Sequence, residues 1–496
     1  MKNHLCRTVS CLLLCILLAG TAAPAASAAK LTFRDVPAGH WAADEIEQCV
    51  SLGLFGGINE TQFGLGQSMT RRSFAVVLCR FFGWETPAPE RSTYSDVPAD
   101  AWYAGAVEAA YAHGAFTAQS KLFRPADHIT REELAVALVR ALGYTHIAGL
   151  AGTLSSPFTD VTTNAGYITM AYNLGLTNGT TATTFSPNKV ATREQTAVIF
   201  IRLYNKLHGN TISRTGILST GNAFTALDGM DALIVDGAAA SENTLRVKGF
   251  ARQEAVLSAV QSAGVPNLLY IEGDASLLRA KPAAAAAMLA DGTKAAGYSG
   301  ILLDIPGLNT THTAALTALA QALRAALGSR PLYIAAEAPV WQGTPRDGYD
   351  YAALSAVADR LILRVAPRNT VSGKTVSAPM EPLEDVYFAL LTLREAGVDS
   401  GKLSLLLTTT GSAWEDTTRV GSPSAGEIEA LAADDFTKHY SARYACAYLS
   451  SGTSVIWYLD GQAAAARGQL LRLFGVDHVL LSDLSGISSD FLQGLE

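Results

Sequence analysis

Phe33-Arg34-Asp35-Val36 returns as Tyr94-Ser95-Asp96-Val97 and again as Phe158-Thr159-Asp160-Val161, at spacings of 61 and 64 residues. Repetition at such a period decides the fold of this region, because each copy is one supersecondary unit that cannot bury its apolar face alone. The rest of the unit recurs in the same order. An aromatic follows (Trp41, Trp102, Tyr167), then a short helix carrying Ile46, Val107 or Met170 inward, then a turn at Gly53, Gly114 or Gly175. Phe63, Phe123 and Phe185 lead into a polar loop that ends at Thr70-Arg71, Thr130-Arg131 and Thr192-Arg193, and a second apolar helix begins there.

The Thr-Arg step predicts its own geometry. Thr130 with Glu133 and Thr192 with Gln195 have capping-box spacing, so Thr is the N-cap and Arg the first helical residue. A cation there opposes the helix dipole at a cost of about 0.3–1 kcal/mol, and three such residues call for a reason. One is an anion site, in which the guanidinium joins the free N–H groups of the helix start to hold a carboxylate or phosphate. The other is internal glue, with each Arg paired to the Asp of its Asp-Val step. The residues alone weigh these evenly.

Over residues 31 to about 206 the pattern F-x-D-V, W-A, F-x-P and I-T-R-x-E resembles the S-layer homology family. That resemblance implies an all-α, three-pronged pseudo-trimer that binds the pyruvylated secondary polysaccharide of Gram-positive-type walls. Arg71, Arg131 and Arg193 would then contact the acidic ketal, with Asp35, Asp96, Asp160, Trp41 and Trp102 shaping the grooves. The copies span 31–88, 92–146 and 155–207. The first has Arg72-Ser73 where Ala-Glu is usual, and the second is the most faithful, so its groove carries the strongest expectation.

From about Asn210 apolar strands alternate with Ala-rich helices. Gly216–Thr220, Ala232–Val235, Asn267–Ile271, Gly300–Ile305, Leu332–Ala336, Arg360–Val365, Leu403–Thr408 and Val479–Leu481 read as strands buried on both faces, which implies a parallel sheet. Eight of them over 212–496 predict an α/β TIM-type (β/α)8 barrel behind the all-α module, a multidomain architecture. Asp236, Glu272, Asp304 and Glu337 each follow an apolar run, where the C-terminal mouth of a barrel carries its chemistry. With Trp341, Trp414 and Trp457 as aromatic platforms they are the expected glycan cleft.

Gly297-Tyr298-Ser299-Gly300-Ile301-Leu302-Leu303-Asp304-Ile305-Pro306 resembles the fourth-strand signature of glycoside hydrolase family 18. Tyr349-Asp350-Tyr351, Gly411 with Trp414, and Val455 to Asp460 resemble later segments of its chitinase-like, spore-peptidoglycan-hydrolase branch. The departures matter more. The resemblance places the proton-donating Glu at Pro306, which carries no proton. Ser299 replaces an orienting Asp, the strand-six motif falls on Arg364 to Pro367, and Ser482 replaces an aromatic floor. The leading expectation is a barrel that meets glycan without cutting it. The alternative is a glycosidase on peptidoglycan or chitin-like polymers whose carboxylates have relocated, with Glu337 or Glu272 as the acid and Asp304 opposite. A third reading, a surface-lattice subunit, predicts self-association through an apolar patch.

The ends and the composition fit export. Lys2 and Arg7 precede an apolar run from Leu12 to Leu18, and Ala26-Ser27-Ala28 has the form signal peptidase accepts, so 1–28 is expected to be a signal peptide. The expected location is the wall or surface layer of a Gram-positive-type bacterium. No second apolar stretch is long enough for a membrane span. With 37 basic against 44 acidic residues, a net charge of -7 and no basic run, nucleic acid is not an expected partner. Scattered His and Cys give no metal spacing, and no cofactor is expected. Cys49 and Cys79 either pair or serve as buried small hydrophobes, the second being the stronger expectation.

Overall fold

The computed structural model describes residues 33–219, 227–341, 347–366, 370–371, 374–485 and 487–496. The expected signal peptide lies outside them.

Each repeat is a pair of helices. The first members are α1 (Ala43–Ser51), α3 (Ala104–Ala112) and α6 (Ala165–Asn173); the second are α2 (Arg71–Phe82), α4 (Arg131–Ala141) and α7 (Arg193–His208), with α5 (Thr145–Ala151) between repeats two and three. Gly53, Gly114 and Gly175 close the first helices with φ near +70°, a conformation that favours glycine because a Cβ would crowd the backbone. Thr70, Thr130 and Thr192 are the N-caps, and Thr130 and Thr192 complete capping boxes with Glu133 and Gln195.

The helix starts put two earlier alignments right. Ala165 is the equivalent of Ala43 and Ala104, so the place of Trp41 and Trp102 is taken by Thr163, and Tyr167 lies one turn further on beneath the Arg140 guanidinium. Ile168, not Met170, matches Ile46 and Val107, although both are buried.

The three copies close on themselves. Met69 N–H donates to Ala191 O (2.8 Å), Ala191 N–H to Ile129 O (2.9 Å) and Ile129 N–H to Met69 O (2.9 Å), a ring of three bonds about a pseudo-threefold axis. Cys49 and Cys79 are free, buried thiols facing different helices, with Sγ on Ala197 O and Ala106 O. Burial pushes both up to about 12.

Eight parallel strands form the barrel: β1 (Ser213–Leu218), β2 (Ala232–Ser241), β3 (Asn267–Gly273), β4 (Gly300–Asp304), β5 (Leu332–Glu337), β6 (Arg360–Arg364), β7 (Leu403–Leu407) and β8 (His478–Leu481). It closes because β1 pairs with both β2 and β8. Strand alternation fills the interior in layers. At the base, His478 bonds Thr215 Oγ1 (2.8 Å) and Ser404 Oγ (2.7 Å). An apolar layer of Ile217, Ile234, Leu268, Leu302, Ala335, Ile362, Leu406 and Leu480 lies above it. Two residues further along the strands come Ser219, Asp236, Tyr270, Asp304, Glu337, Arg364 and Ser482.

An insertion between β7 and β8 adds a five-stranded antiparallel sheet (Ser412–Glu415, Thr418–Gly421, Thr437–Ser441, Cys446–Ser451, Ser454–Tyr458) and a helix, Ala425–Ala432. The fully buried Arg467 ties it down, donating to Ala445 O (2.6 Å), Ala463 O (3.0 Å), Met380 O (3.0 Å) and Glu381 O (2.5 Å).

The barrel docks on the C-terminal ends of α4, α6 and α7. Its helix Gly461–Phe474 sends Gln469 to Leu142 O and Tyr144 Oη, and its Leu473 carbonyl accepts from Lys206 Nζ. Helix Leu383–Glu395 places Tyr387 Oη on Asn173 Nδ2, Arg394 on the Asn173 carbonyl and Glu384 2.6 Å from His146 Nε2. The repeat arginines occupy the opposite, N-terminal ends. At 1.5 Å per residue, the 11-residue α4 and 16-residue α7 keep the two faces about 16–24 Å apart.

Candidate functional sites

At the threefold apex, each Asp-Val aspartate caps the loop that begins at its repeat's Phe. Asp35 accepts from Phe63, Gly64 and Leu65 N–H, Asp96 from Phe123 and Arg124, Asp160 from Phe185 and Ser186, at 2.7–3.0 Å. The Phe185 N–H bond leads in holding Asp160 below the ordinary carboxylate range. For Asp35 partial burial pushes upward, and the three N–H groups outweigh it.

Each Arg reaches across to the next repeat. Arg71 Nε donates to Phe123 O (2.8 Å), Arg131 Nε to Phe185 O (2.9 Å) and Arg193 Nε to Phe63 O (2.9 Å), and each guanidinium lies 4.6–5.0 Å from that Phe ring. Arg and Asp therefore hold the same Phe backbone from its two sides rather than each other. Among the described residues none of the three makes a direct ion pair with Asp35, Asp96 or Asp160. The arginines are structural, and Arg131 and Arg193 are also partly open to solvent. Trp41 and Trp102 are 59% and 69% exposed. Trp102 lines a groove between α2 and α3 with Arg80, Trp84 and Thr86.

In the barrel a cavity of about 250 Å³ opens above the apolar layer, lined at its polar end by Ser219, Asp236, Tyr270, Asp304, Arg364 and Ser482. Asp304 is 3% exposed. Its Oδ2 accepts from Tyr270 Oη (2.8 Å) and its Oδ1 lies 3.0 Å from Arg364 Nη2. Burial holds its carboxyl above the ordinary range in spite of Arg364 and Tyr270, with Glu272 and Glu337 pushing the same way. Asp236 is engaged by Lys248 Nζ at 2.7 Å.

Glu272, level with Asp304 on the neighbouring strand, and Glu337 stay at the barrel mouth, while the tryptophans scatter. Glu272 is exposed, and Glu337, half-buried, accepts from Gly307 N–H (3.2 Å). Trp341 stacks one face on Phe388 at 3.9 Å. Trp414 and Trp457 are not platforms: 3% and 9% exposed, they pack in the inserted sheet, Trp414 Nε1 on Ser412 Oγ and Trp457 against Tyr448. These rings lie on the sheet face that joins the main core, while Ala447, Leu449, Ile456 and Tyr458 pack with Ile428 in a separate cluster.

Arg364, Tyr270 and Lys248 are the functional neighbours that sequence reasoning passed over. Tyr270 and Arg364 carry a signal in strand parity, each two residues beyond an inward Leu268 or Ile362. Among the described residues no group of three His, Cys, Asp or Glu is placed to hold a metal, and no helix is long and apolar enough to cross a membrane.

The S-layer homology domain model matches residues 32–75, 93–135 and 157–197. Exoglucanase XynX of Acetivibrio thermocellus is 30% identical over 181 residues, covering 36% of this chain and 16% of that protein. An S-layer protein of Bacillus thuringiensis subsp. finitimus is 29% identical over 201 residues, covering 40% and 24%. The chain thus spans a quarter or less of these two relatives.

Solved structures match the other part. A chitinase from Chromobacterium violaceum aligns with TM-score 0.52 at 18% identity, covering 57% of this chain and 99% of its own. The spore cortex-lytic enzyme SleL of Bacillus megaterium gives 0.50 at 14%, covering 58% and 73%. At such identities the likeness is one of fold. The chain carries three S-layer homology domains followed by a closed eight-stranded parallel barrel that shares its fold with these solved enzymes. S-layer homology domains mark it as a bacterial surface protein held at the cell wall.

Proposed function

We propose that the three repeats fasten the chain to pyruvylated secondary wall polysaccharide and that the barrel meets glycan without cleaving it. The partly open guanidinium groups of Arg131 and Arg193 and the exposed Trp41 and Trp102 support the first half: an acidic sugar needs a fixed cation, and its ring an aromatic face. Asp35, Asp96 and Asp160 serve that surface indirectly, by fixing the loops on which the cations rest.

The second half is carried by Asp304. A carboxylate that assists glycosidic cleavage must be free to engage the substrate and needs a proton donor beside it. Asp304 instead faces Arg364 and Tyr270, and Pro306 stands where the acid belongs. The pocket above the apolar layer is small and polar-rimmed, suited to one sugar substituent rather than to a working pair of carboxylates.

A second reading keeps the barrel an enzyme, with Glu337 or Glu272 as the acid. What favours it is that both push the buried Asp304 carboxyl upward, so the three share one electrostatic neighbourhood. One experiment separates the readings. The chain is incubated with chitin oligomers and with peptidoglycan, and reducing ends are measured. No release is expected; turnover that disappears in Glu337→Gln would overturn the non-catalytic reading. Co-sedimentation with bare cell walls tests the anchor, and failure to adhere would reject it.

A further inference from the structure

Resting on the wall-polymer reading, we propose that Glu133 is a built-in counter-charge that withdraws Arg71 from acidic sugars and leaves Arg131 as the station that reads them. The three stations are related by the threefold ring, so their differences can be read position by position. At the third residue of the second helix stand Glu133, Gln195 and Ser73, serving the stations of Arg71, Arg131 and Arg193. The carbonyl that accepts from each Arg backbone N–H belongs to Asp127, Lys189 and Gln67 in the same order. The residue after each Phe is Arg124, Ser186 or Gly64. By residue type these positions give the first station Glu133, Asp127 and Arg124, the second Gln195, Lys189 and Ser186, and the third Ser73, Gln67 and Gly64, so only the first places a carboxylate at the capping position.

The contacts follow that order. Arg71 Nη1 lies 2.7 Å from Glu133 Oε1, an oxygen that Arg124 Nη2 also reaches at 2.7 Å, and Arg124 in turn lies 3.6 Å from Asp127. Arg71 is only 8% exposed, between the Phe116 and Phe123 rings. An anion arriving there meets a buried guanidinium already paired with a carboxylate.

Arg131 has no carboxylate partner among the described residues. Its Nε and Nη2 donate to the carbonyls of Phe185 and Asn178, and its Nη1 makes no hydrogen bond within the described protein and is not enclosed. Carbonyl acceptors position the fork without pairing its charge, so both Nη1 N–H groups remain for a ligand carboxylate, with Asp160 acting on the charge from a distance but not bonded to it. Arg193 is held in the same way by Phe63 and Gly56 carbonyls, but two carboxylates, Asp35 and the adjacent Glu194 bonded to Gly66 N–H, act on its charge where Arg131 feels Asp160. The chemistry recognised is a single carboxylate on a sugar ring.

The test uses the full chain, purified pyruvylated wall polysaccharide, and the same polymer after mild acid has removed the ketal. Arg131→Gln should weaken binding to the pyruvylated polymer about tenfold or more, the worth of one charge-assisted contact, and leave binding to the stripped polymer unchanged. Arg71→Gln should change neither by more than about twofold. Glu133→Gln keeps the cap, as Gln195 does in the third repeat, and should strengthen binding to the pyruvylated polymer in a salt-sensitive way.

Equal losses for Arg71→Gln and Arg131→Gln, or no gain in a folded Glu133→Gln, would overturn the proposal. Should Arg71→Gln fail to fold, Glu133→Gln decides alone. Equal binding of both polymers by the unaltered chain is a different result: it rejects acidic-sugar recognition itself, and the proposal with it.

Discussion

His478, at the base of the barrel, offers a quantitative test of how the interior is built. Its ring is 2% exposed, bonded to Thr215 and Ser404. Burial, with a smaller push from Arg360, drops its pKa to about 3 from 6.5, so it is neutral in the folded protein. The stabilisation is complete above pH 6.5, where folded and unfolded chains are both neutral. It is lost as pH falls from 6.5 toward 3, where the unfolded chain binds a proton that the folded one refuses. Between pH 7.5 and pH 4.5 the titrated range is about two units, which at 1.36 kcal/mol per unit amounts to about 3 kcal/mol. Replacing His478 with Gln keeps a hydrogen-bonding group and removes the titration. Urea unfolding of both proteins at pH 7.5, 6, 5 and 4.5 should give curves whose difference narrows by about 3 kcal/mol toward acid, whatever fixed cost the substitution carries. Parallel curves would show that the ring is charged or accessible in the fold, and the layered polar base would be wrong.

Glu381 should act with the opposite sign. Burial raises it to about 7 against the partial relief given by Thr408 and Arg467, so folding is favoured below pH 4.5 and that advantage is lost as pH rises through 7. Glu381→Gln should therefore gain stability relative to the unaltered chain, by about 3 kcal/mol at pH 8, and the gap should close by pH 4.5. Arg467→Met should cost about 3–5 kcal/mol and loosen the insert first, seen as early amide exchange over Cys446–Ser451. Gly166→Ala would place a Cβ 1.8 Å from Ala148 O; it should destabilise by about 1–3 kcal/mol and, because α5 carries His146, increase proteolysis between the repeats and the barrel. Trp102→Ala, at an exposed site, should leave thermal unfolding unchanged and weaken binding to wall polysaccharide severalfold.

Much of the architecture was legible because it is written locally. Repeated Asp-Val and Thr-Arg steps, glycine at the left-handed turns and capping-box spacing each act within a few residues. The strand parity of Leu302 and Asp304 or of Ile234 and Asp236 also needs only neighbours. Alignment by residue type failed at Tyr167, because the third repeat's helix starts five residues after its Asp rather than eight, which moved the register. The insert was not legible either: its short strands are interrupted by turns, and Trp414 and Trp457 read as solvent-facing platforms because nothing local says which side of a small sheet is covered.

The order of the chain alone settled that three copies of one helical unit precede a parallel barrel, since both depend on residue identity and short-range spacing. Only the folded arrangement decided which charges survive. Glu133 meets Arg71 from 62 positions away, Arg364 meets Asp304 from 60, and the barrel covers the helix ends remote from the arginines. An isolated guanidinium and a neutralised one have the same letter in the sequence; their difference is a distance of a few ångströms across elements that only tertiary packing brings together.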